Sequence, residues 1–566
     1  MPDSQLRRLA DDYWEAHIAE NPSLASLLGD RRFDDQIEDI SDEREAARRA
    51  TYVGFAEKLA AIEPGALDQA DRVTHQLLAE EIRTNVSLID ARWWDMAWDQ
   101  MTGAHTELLI DAPQMNAPTP ESAHALVERW RKIPTYLDQA IERHRHALAT
   151  GRTAPDVVLE RSLNLLDKYL TSPVDDDSFV TFPGPPEWDG EAAWREELTT
   201  ATRDHIRPAM TRYREFLASE VRGSVRPNDR CGLRWIEGGD EYYRTMIRWW
   251  VGLDVDPAEV HEIGMAELRQ KLPAEYAEVG GRLFGRTDTS GVFDRLRTDP
   301  SLSYADGQQM LDDAQAVLDA AKAVMGDWFG RLPKTDCELK PVPEHLAADV
   351  PAAYYFPPAA DGSRPGTYFV NTHDPEHRHP YDTASTACHE AIPGHHFQLA
   401  IGTELEDLPT FQRLSQGHNA FVEGWGLYSE RLGDEMGLYG TDLDRLGMLA
   451  ADSFRSCRLV VDTGIHALGW SREQAIEFMT EHTPVPREEV AVEVDRYIAM
   501  PGQALTYKLG QLEIFRLRRQ AEARLGDGFD IRGFHDTVLG SSSISLPVLA
   551  RLVDDWVASL DGGARP

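Results

Sequence analysis

The sequence predicts a mainly α-helical protein built as one large two-lobed body, and three observations carry that reading. Apolar side chains recur at spacings of three and four through most of the 566 residues, the period of helices that bury one stripe. The stretch 329–387, rich in Pro, Gly and Tyr, departs from that period, and there a small sheet or hairpin is expected. Neither a fixed-period repeat nor a flexible linker divides the chain.

The opening segment sets Leu6, Leu9 and Tyr13 on one face with Trp14 beside them, a surface helix. Residues 43–93 read as two long helices broken near Pro64-Gly65, with no capping side chain evident at the break. The helical pattern continues through 118–149, 152–171, 188–223, 237–251 and 257–284; Pro118 and Pro120 favour a start near 120, and Pro257 one near 258. Polar and proline-rich connections occupy 172–187, 224–235 and 285–303, and a helix resumes over 303–328. The alternating run Gly366 to Asn371 reads as a strand, paired with 351–356. Helices return near 384 and run to the end, interrupted around 404–409, 438–442, 482–487 and 540–546. We expect 1–330 as a helical N-terminal part and 331–566 as the part with the site, joined in one unit.

With 58 basic and 96 acidic residues the net charge is −38, which disfavours general binding to nucleic acid or anionic lipid. The 14 Trp, 17 Tyr and 18 Phe argue against a disordered acidic chain, and four Cys do not make a disulfide scaffold. No secretory pattern opens the sequence and no apolar run is long enough to span a bilayer. The expectation is a soluble cytoplasmic protein with no membrane or nucleic-acid partner, its oligomeric state open.

The strongest local signal is the run Cys388-His389-Glu390-Ala391-Ile392-Pro393-Gly394-His395-His396. A zinc endopeptidase helix places two His four apart with Glu after the first, so that both imidazoles face the metal and the carboxylate activates water. Here Pro393 occupies the position of the second His. On a straight helix His389 and His395 would be separated by about 9 Å of rise and roughly 240° of turn, too far to share an ion. Pro393 clashes with the carbonyl of residue 389 and lacks a donor, while Gly394 tolerates unusual backbone angles. The pair therefore predicts a break that carries His395 back beside His389. A kinked buried helix whose His residues satisfy hydrogen bonds is the plainer alternative. Glu423 follows 28 residues after His395, in the helix-compatible run Phe421 to Glu430; a carboxylate in that apolar setting needs a partner, which a dication supplies. Gly424 and Gly426 would admit close approach, and Glu430 is either a supporting carboxylate or solvent-facing.

The run HEAIPGHHFQ followed by EGWGLYSE resembles the DUF885 family of bacterial proteins, distantly similar to zinc metallopeptidases of the glutamate-ligand type. GTYFVNTHDPEHR at 366–378, VDTGIHALGW at 461–470, PGQALTYKLG at 501–510 and FDIRGFHDTVLGSSSISLPVL at 529–549 match as well. The resemblance implies a metallopeptidase-like helical fold with a deep cleft. It also implies His389, His395 and Glu423 as ligands of one Zn²⁺, with Glu390 as general base. His396 would then support the site or face substrate.

A developing oxyanion needs a donor, and His466 and Tyr507 are the candidates, His466 oriented by Asp462 four residues before it. Arg455, Arg458 and Arg496 either pair with acidic neighbours, as Arg458 would with Asp462, or present a fork to a substrate carboxylate; Arg496 is favoured for that. The strand with Tyr368 and Asn371 offers an edge to an extended peptide, or is an ordinary hairpin. His373, His377 and His379 read as surface or cleft-rim residues, and His261 as a decoy. The leading expectation is zinc-dependent hydrolysis of short peptides or peptide-like amides. A non-peptide amide or specialised metabolite is the alternative substrate; a non-catalytic binding protein and Cys388/His catalysis are alternative chemistries.

Overall fold

Side-chain caps and prolines set several of the helix starts in the computed structural model, which describes residues 5–344, 347, 351–358, 364–414 and 417–561. Among the longer helices, α1 (Gln5–Glu20), α2 (Asp42–Ala60) and α3 (Gln69–Ala91) pack together at the N-terminal end. Asp68 accepts from the Asp71 amide at the start of α3, so the break near Pro64-Gly65 does carry a side-chain cap. α4 (Pro120–Ala149) opens on a capping box between Thr119 and Ser122. α5 (Asp156–Thr171) and α6 (Gly239–Val251) follow.

The expected helices over 188–223 and 257–284 are continuous but contain π-helical turns at Thr202–Ile206 and Glu267–Lys271. Pro208 and Pro273 lie just beyond these turns and have no N–H for the carbonyl four residues back, so the ladder widens there. α7 (Gly307–Trp328) then leads into the sheet.

β1 (Cys337–Pro341), β2 (Ala353–Phe356) and β3 (Gly366–Val370) form a three-stranded sheet in the order β1-β3-β2. β2 pairs antiparallel to β3, with Tyr355 opposite Tyr368, as expected. β1 pairs parallel to β3 and was not expected. Its addition makes β3 the central strand, which corrects the reading of 367–371 as an open edge for a peptide.

The C-terminal part is built on α8 (Pro380–Glu390), α9 (His395–Thr403), α10 (Asn419–Glu435), α11 (Asp442–Thr463), α12 (Arg487–Ala499), α13 (Thr506–Leu525) and α14 (Leu546–Asp561). α10 and α13 cross at glycines: a Cβ on Gly424 would stand 2.5 Å from the Cα of Gly510. Buried apolar residues form one contiguous cluster that includes both Leu6 and Val557.

Candidate metal centre

α8 stops at Glu390 because the chain turns through 391–394, with a cis Ile392-Pro393 bond, before α9 begins at His395. The turn needs glycine: a Cβ on Gly394 would fall 1.9 Å from the carbonyl oxygen of His389. It is held from α10 by the Trp425 indole, whose Nε1 donates to the carbonyls of Pro393 (3.0 Å) and Gly394 (3.2 Å). The six-residue separation thus closes, and the His389 and His395 ring centres lie 4.8 Å apart.

Glu423 Oε2 on α10 lies 3.5 Å from His389 Nε2 and 3.6 Å from His395 Nε2. One donor atom from each residue falls within 4.8 Å of the others, so this cluster could hold a metal ion. Gly426, next along α10, makes room for the imidazole: a Cβ there would be 2.7 Å from the His389 ring. Behind it, His389 Nδ1 is 2.8 Å from Glu430 Oε1, a buried carboxylate. Such a bond fixes the ring and its tautomer and leaves Nε2 for a ligand. Tyr439 donates to the Glu430 carbonyl, and Arg455 lies 3.7 Å from the carboxylate. Burial works against charge on His389, but Glu423 and Glu430 outweigh it and push the imidazole up to about 10. Burial likewise raises Glu423, yet the two imidazoles override it and hold the carboxyl well below its usual range. Without a cation the cluster pairs an ionised Glu423 with a protonated imidazole, and a metal ion would take the place of that proton.

Glu390, half-buried, is the last residue of α8 and adjoins His389; its charge bears on both His389 and Tyr368. The Tyr507 ring stacks 6.4 Å from that of His389. Tyr368 is buried and lines a cavity of about 370 Å³ with Arg455, Asp382 and Glu489. Arg496 donates to Gln503 Oε1 at 3.0 Å.

Other expectations are corrected. His396 turns to the sheet, its Nδ1 2.9 Å from the Tyr355 hydroxyl, and burial lowers it to about 4. Asp462 does not orient His466: its carboxylate accepts from the Tyr243 hydroxyl at 2.5 Å and the Gly502 amide at 3.1 Å. Both His466 ring nitrogens are taken by backbone, Nδ1 by the Leu233 amide (3.3 Å) and Nε2 by the Tyr497 carbonyl (2.9 Å). No ring atom remains for an oxyanion. Arg458 pairs with Glu493 rather than Asp462. Asn371 donates its side-chain amide to the Ala347 and Pro351 carbonyls on the segment that leads into β2, and its Oδ1 accepts from the His373 amide.

Cys388 is fully buried against Gly433, and burial pushes its thiol up, away from the thiolate that nucleophilic catalysis needs. His261 bonds Thr463 and meets Trp470 edge-on, a packing role. His377 joins Asp374 and Glu376 in a second, exposed group of potential donors. Sequence reasoning missed Trp425, Tyr439 and Tyr355. For Trp425 the signal was a large indole between Gly424 and Gly426, whose N–H must find an acceptor once buried.

The family described as "Bacterial protein of unknown function (DUF885)" matches residues 22–553. Among solved structures, a "putative lipoprotein" from Colwellia psychrerythraea is 26% identical, with TM-score 0.90 over 98% of this chain and 99% of that one. A second structure so described, from Shewanella oneidensis and of unknown function, is 19% identical, with TM-score 0.71 over 97% and 100% of the two chains. This second likeness is one of fold. No curated protein matches. The Colwellia protein is described as a "putative lipoprotein", and this stands against the expectation of a cytoplasmic chain without a membrane partner. Among the described residues, no helix is long and apolar enough to cross a membrane.

Proposed function

This chain belongs to the DUF885 family, and we propose that it is a zinc-dependent hydrolase of peptide or peptide-like amide bonds in short substrates. The convergence of His389, His395 and Glu423, their donor atoms within 4.8 Å of one another, carries the reading. The donor set fits the group: two imidazoles and one carboxylate are a zinc set with one position left open. When bound, the ion supplies a Lewis acid that polarises a carbonyl and makes water a better nucleophile near neutral pH.

In this reading Glu390 takes a proton from the attacking water and returns it to the departing amine, the task of a carboxylate one position from a ligand. Tyr507 donates to the carbonyl oxygen as negative charge grows on it. Glu430 keeps the His389 ring in place throughout. His466 has no part, because its nitrogens are engaged elsewhere.

A cleft between residues 1–330 and 331–566 belongs to the same proposal. Its support is a cavity of about 690 Å³ lined by Trp14 of α1, Asn85 of α3 and Trp249 of α6, and by His418 and Asn419 at the start of α10. A further cavity of about 400 Å³ shares Leu24, Asn85, Leu88 and Trp249 with it. Glu423 lies one turn along α10 from Asn419.

The test combines metal content with turnover of a peptide library. Native protein should hold about one equivalent of zinc and His389→Ala none. Glu390→Gln should keep its zinc and hydrolyse at least about 1000-fold more slowly. No zinc uptake by the native chain at low micromolar concentration sinks the reading.

A further inference from the structure

Three guanidinium groups gather around Tyr507, the phenol beside His389. Arg458 lies over its ring at 4.5 Å and Arg455 at 5.9 Å. Arg496 bonds Gln503, whose amide nitrogen is 3.5 Å from the Tyr507 hydroxyl. The carboxylates that meet them are Glu430, 3.7 Å from Arg455, and Glu493, 3.0 Å from Arg458 and 3.6 Å from Arg496. Arg455 also lines a cavity with Asp382 and Glu489. Arg458 and Arg496, by contrast, share the single carboxylate of Glu493 among their ion pairs.

That leaves two guanidinium groups to one carboxylate at this pair, in a chain whose net charge is −38. It also leaves donors unmet: Arg458 Nη1 and Arg496 Nε are buried with no acceptor among the described residues. Arg458 is 5% exposed. Burying guanidinium donors without acceptors is unfavourable, and an acceptor brought by a ligand would relieve both. A planar fork of N–H groups matches a carboxylate in both charge and shape.

Building on the hydrolase reading, we propose that Arg496, backed by Arg458, receives a free carboxylate of the substrate. The site would then act at the carboxyl end of a short chain. Tyr507 is in ring contact with both the guanidinium cluster and His389, so the carboxylate would be held one or two residues from the bond cut, at about 3.5 Å per extended residue.

The experiment uses full-length, zinc-loaded protein and one library of N-acetylated tripeptides, made with free or amidated carboxyl ends. Two readouts are taken: hydrolysis, and binding by calorimetry to the Glu390→Gln variant. The free acids should be preferred at least about tenfold in each, as loss of a charge-assisted contact implies. Arg496→Gln should remove that preference by raising KM for the acids, leave the amides unchanged and spare the zinc content; Arg496→Lys should restore part of it. Arg458→Gln serves as the second variant if Arg496→Gln folds poorly. Equal handling of acids and amides by the native chain overturns the inference while hydrolysis itself stands. Preferential binding of acids without any hydrolysis sustains the carboxylate site and removes the hydrolase reading instead.

Discussion

Two histidine–carboxylate sites in this molecule look alike in sequence and differ in what their nitrogens do. Around His389, the turn at Pro393-Gly394 brings two imidazoles and Glu423 face to face, and the Nε2 atoms that meet there have no backbone partner among the described residues. Around His466, the four-residue spacing from Asp462 suggests an oriented catalytic base, yet Leu233 and Tyr497 occupy both ring nitrogens. Spacing shows which groups can meet; the donors and acceptors left over show which are available for chemistry. The first site keeps polar valence in reserve, whereas the second uses all of it to hold the end of α11 and the π-helical turn Gly464–Leu468 that follows against distant segments.

The sharpest way to break this comparison is to remove one histidine from each side. His395→Ala should lower zinc affinity at least about 1000-fold, beyond the 10–100-fold typical for loss of a residue that only orients a ligand. Its metal-free unfolding free energy should change far less than that of His466→Ala. His466→Ala should instead cost about 3 kcal/mol of stability, because it strands a buried amide at Leu233 and a buried carbonyl at Tyr497. Zinc stoichiometry should be unchanged in it. Calorimetric zinc titration and urea unfolding of both variants read the two axes; an exchange of the two phenotypes would invert the assignment.

The contrast also explains what could be read from the sequence. Helix starts at Pro120 and Pro257, the β2–β3 pairing and the interruption at Pro393 all depend on local steric rules, so neighbouring residues disclose them. β1 was hidden because Cys337–Pro341 carries two charged residues and a proline, and its parallel partner lies across an intervening strand. The Asp68 cap was missed although the residue stands at the start of α3. The true partners of Asp462 are Tyr243 and Gly502, both far away in sequence, so a rule for one helix face could not find them. Glu430 was ambiguous for the same reason: two turns beyond Glu423 it could face solvent or His389, and only the packing of α8 on α10 decides.

Acid provides a smaller and independent contrast. Burial lowers His466 to about 4, with the Tyr497 carbonyl opposing the shift and nearby Arg226 adding to it; the Tyr243 ring packs tilted against it, 5.2 Å between centres. A folded value below the usual 6.5 means that the unfolded chain binds the proton more readily. The stability owed to the neutral ring is therefore complete above pH 6.5 and is lost as pH falls towards 4. Between pH 7 and pH 5 that loss is about 2 kcal/mol for this residue. His466→Gln keeps a donor and an acceptor but does not titrate, so its unfolding free energy should fall less over the same interval by about that amount. Parallel urea curves at pH 7 and pH 5 measure the difference, and identical pH dependence in both proteins would show that the ring is not held neutral.

The smallest predicted effect tests how far the metal site depends on its frame. Trp425 supplies no candidate ligand; its indole N–H bridges the Pro393 and Gly394 carbonyls and so fixes the turn that returns His395 to His389. Trp425→Phe keeps most of the apolar surface and removes the donor, leaving two carbonyls without it in a buried turn. The expected cost is about 1 kcal/mol of stability, the usual worth of one neutral hydrogen bond. If the turn positions His395, zinc affinity should fall with it by about three- to tenfold, because an imidazole that samples other orientations presents Nε2 for less of the time. Zinc affinity and stability therefore move together in this variant. They separate at the two histidines, where His395→Ala lowers affinity and His466→Ala lowers stability. Should Trp425→Phe lose stability but keep full affinity, then the proline, the glycine and the packing of α9 suffice to hold the turn, and the indole belongs with His466 among the groups that serve the fold alone.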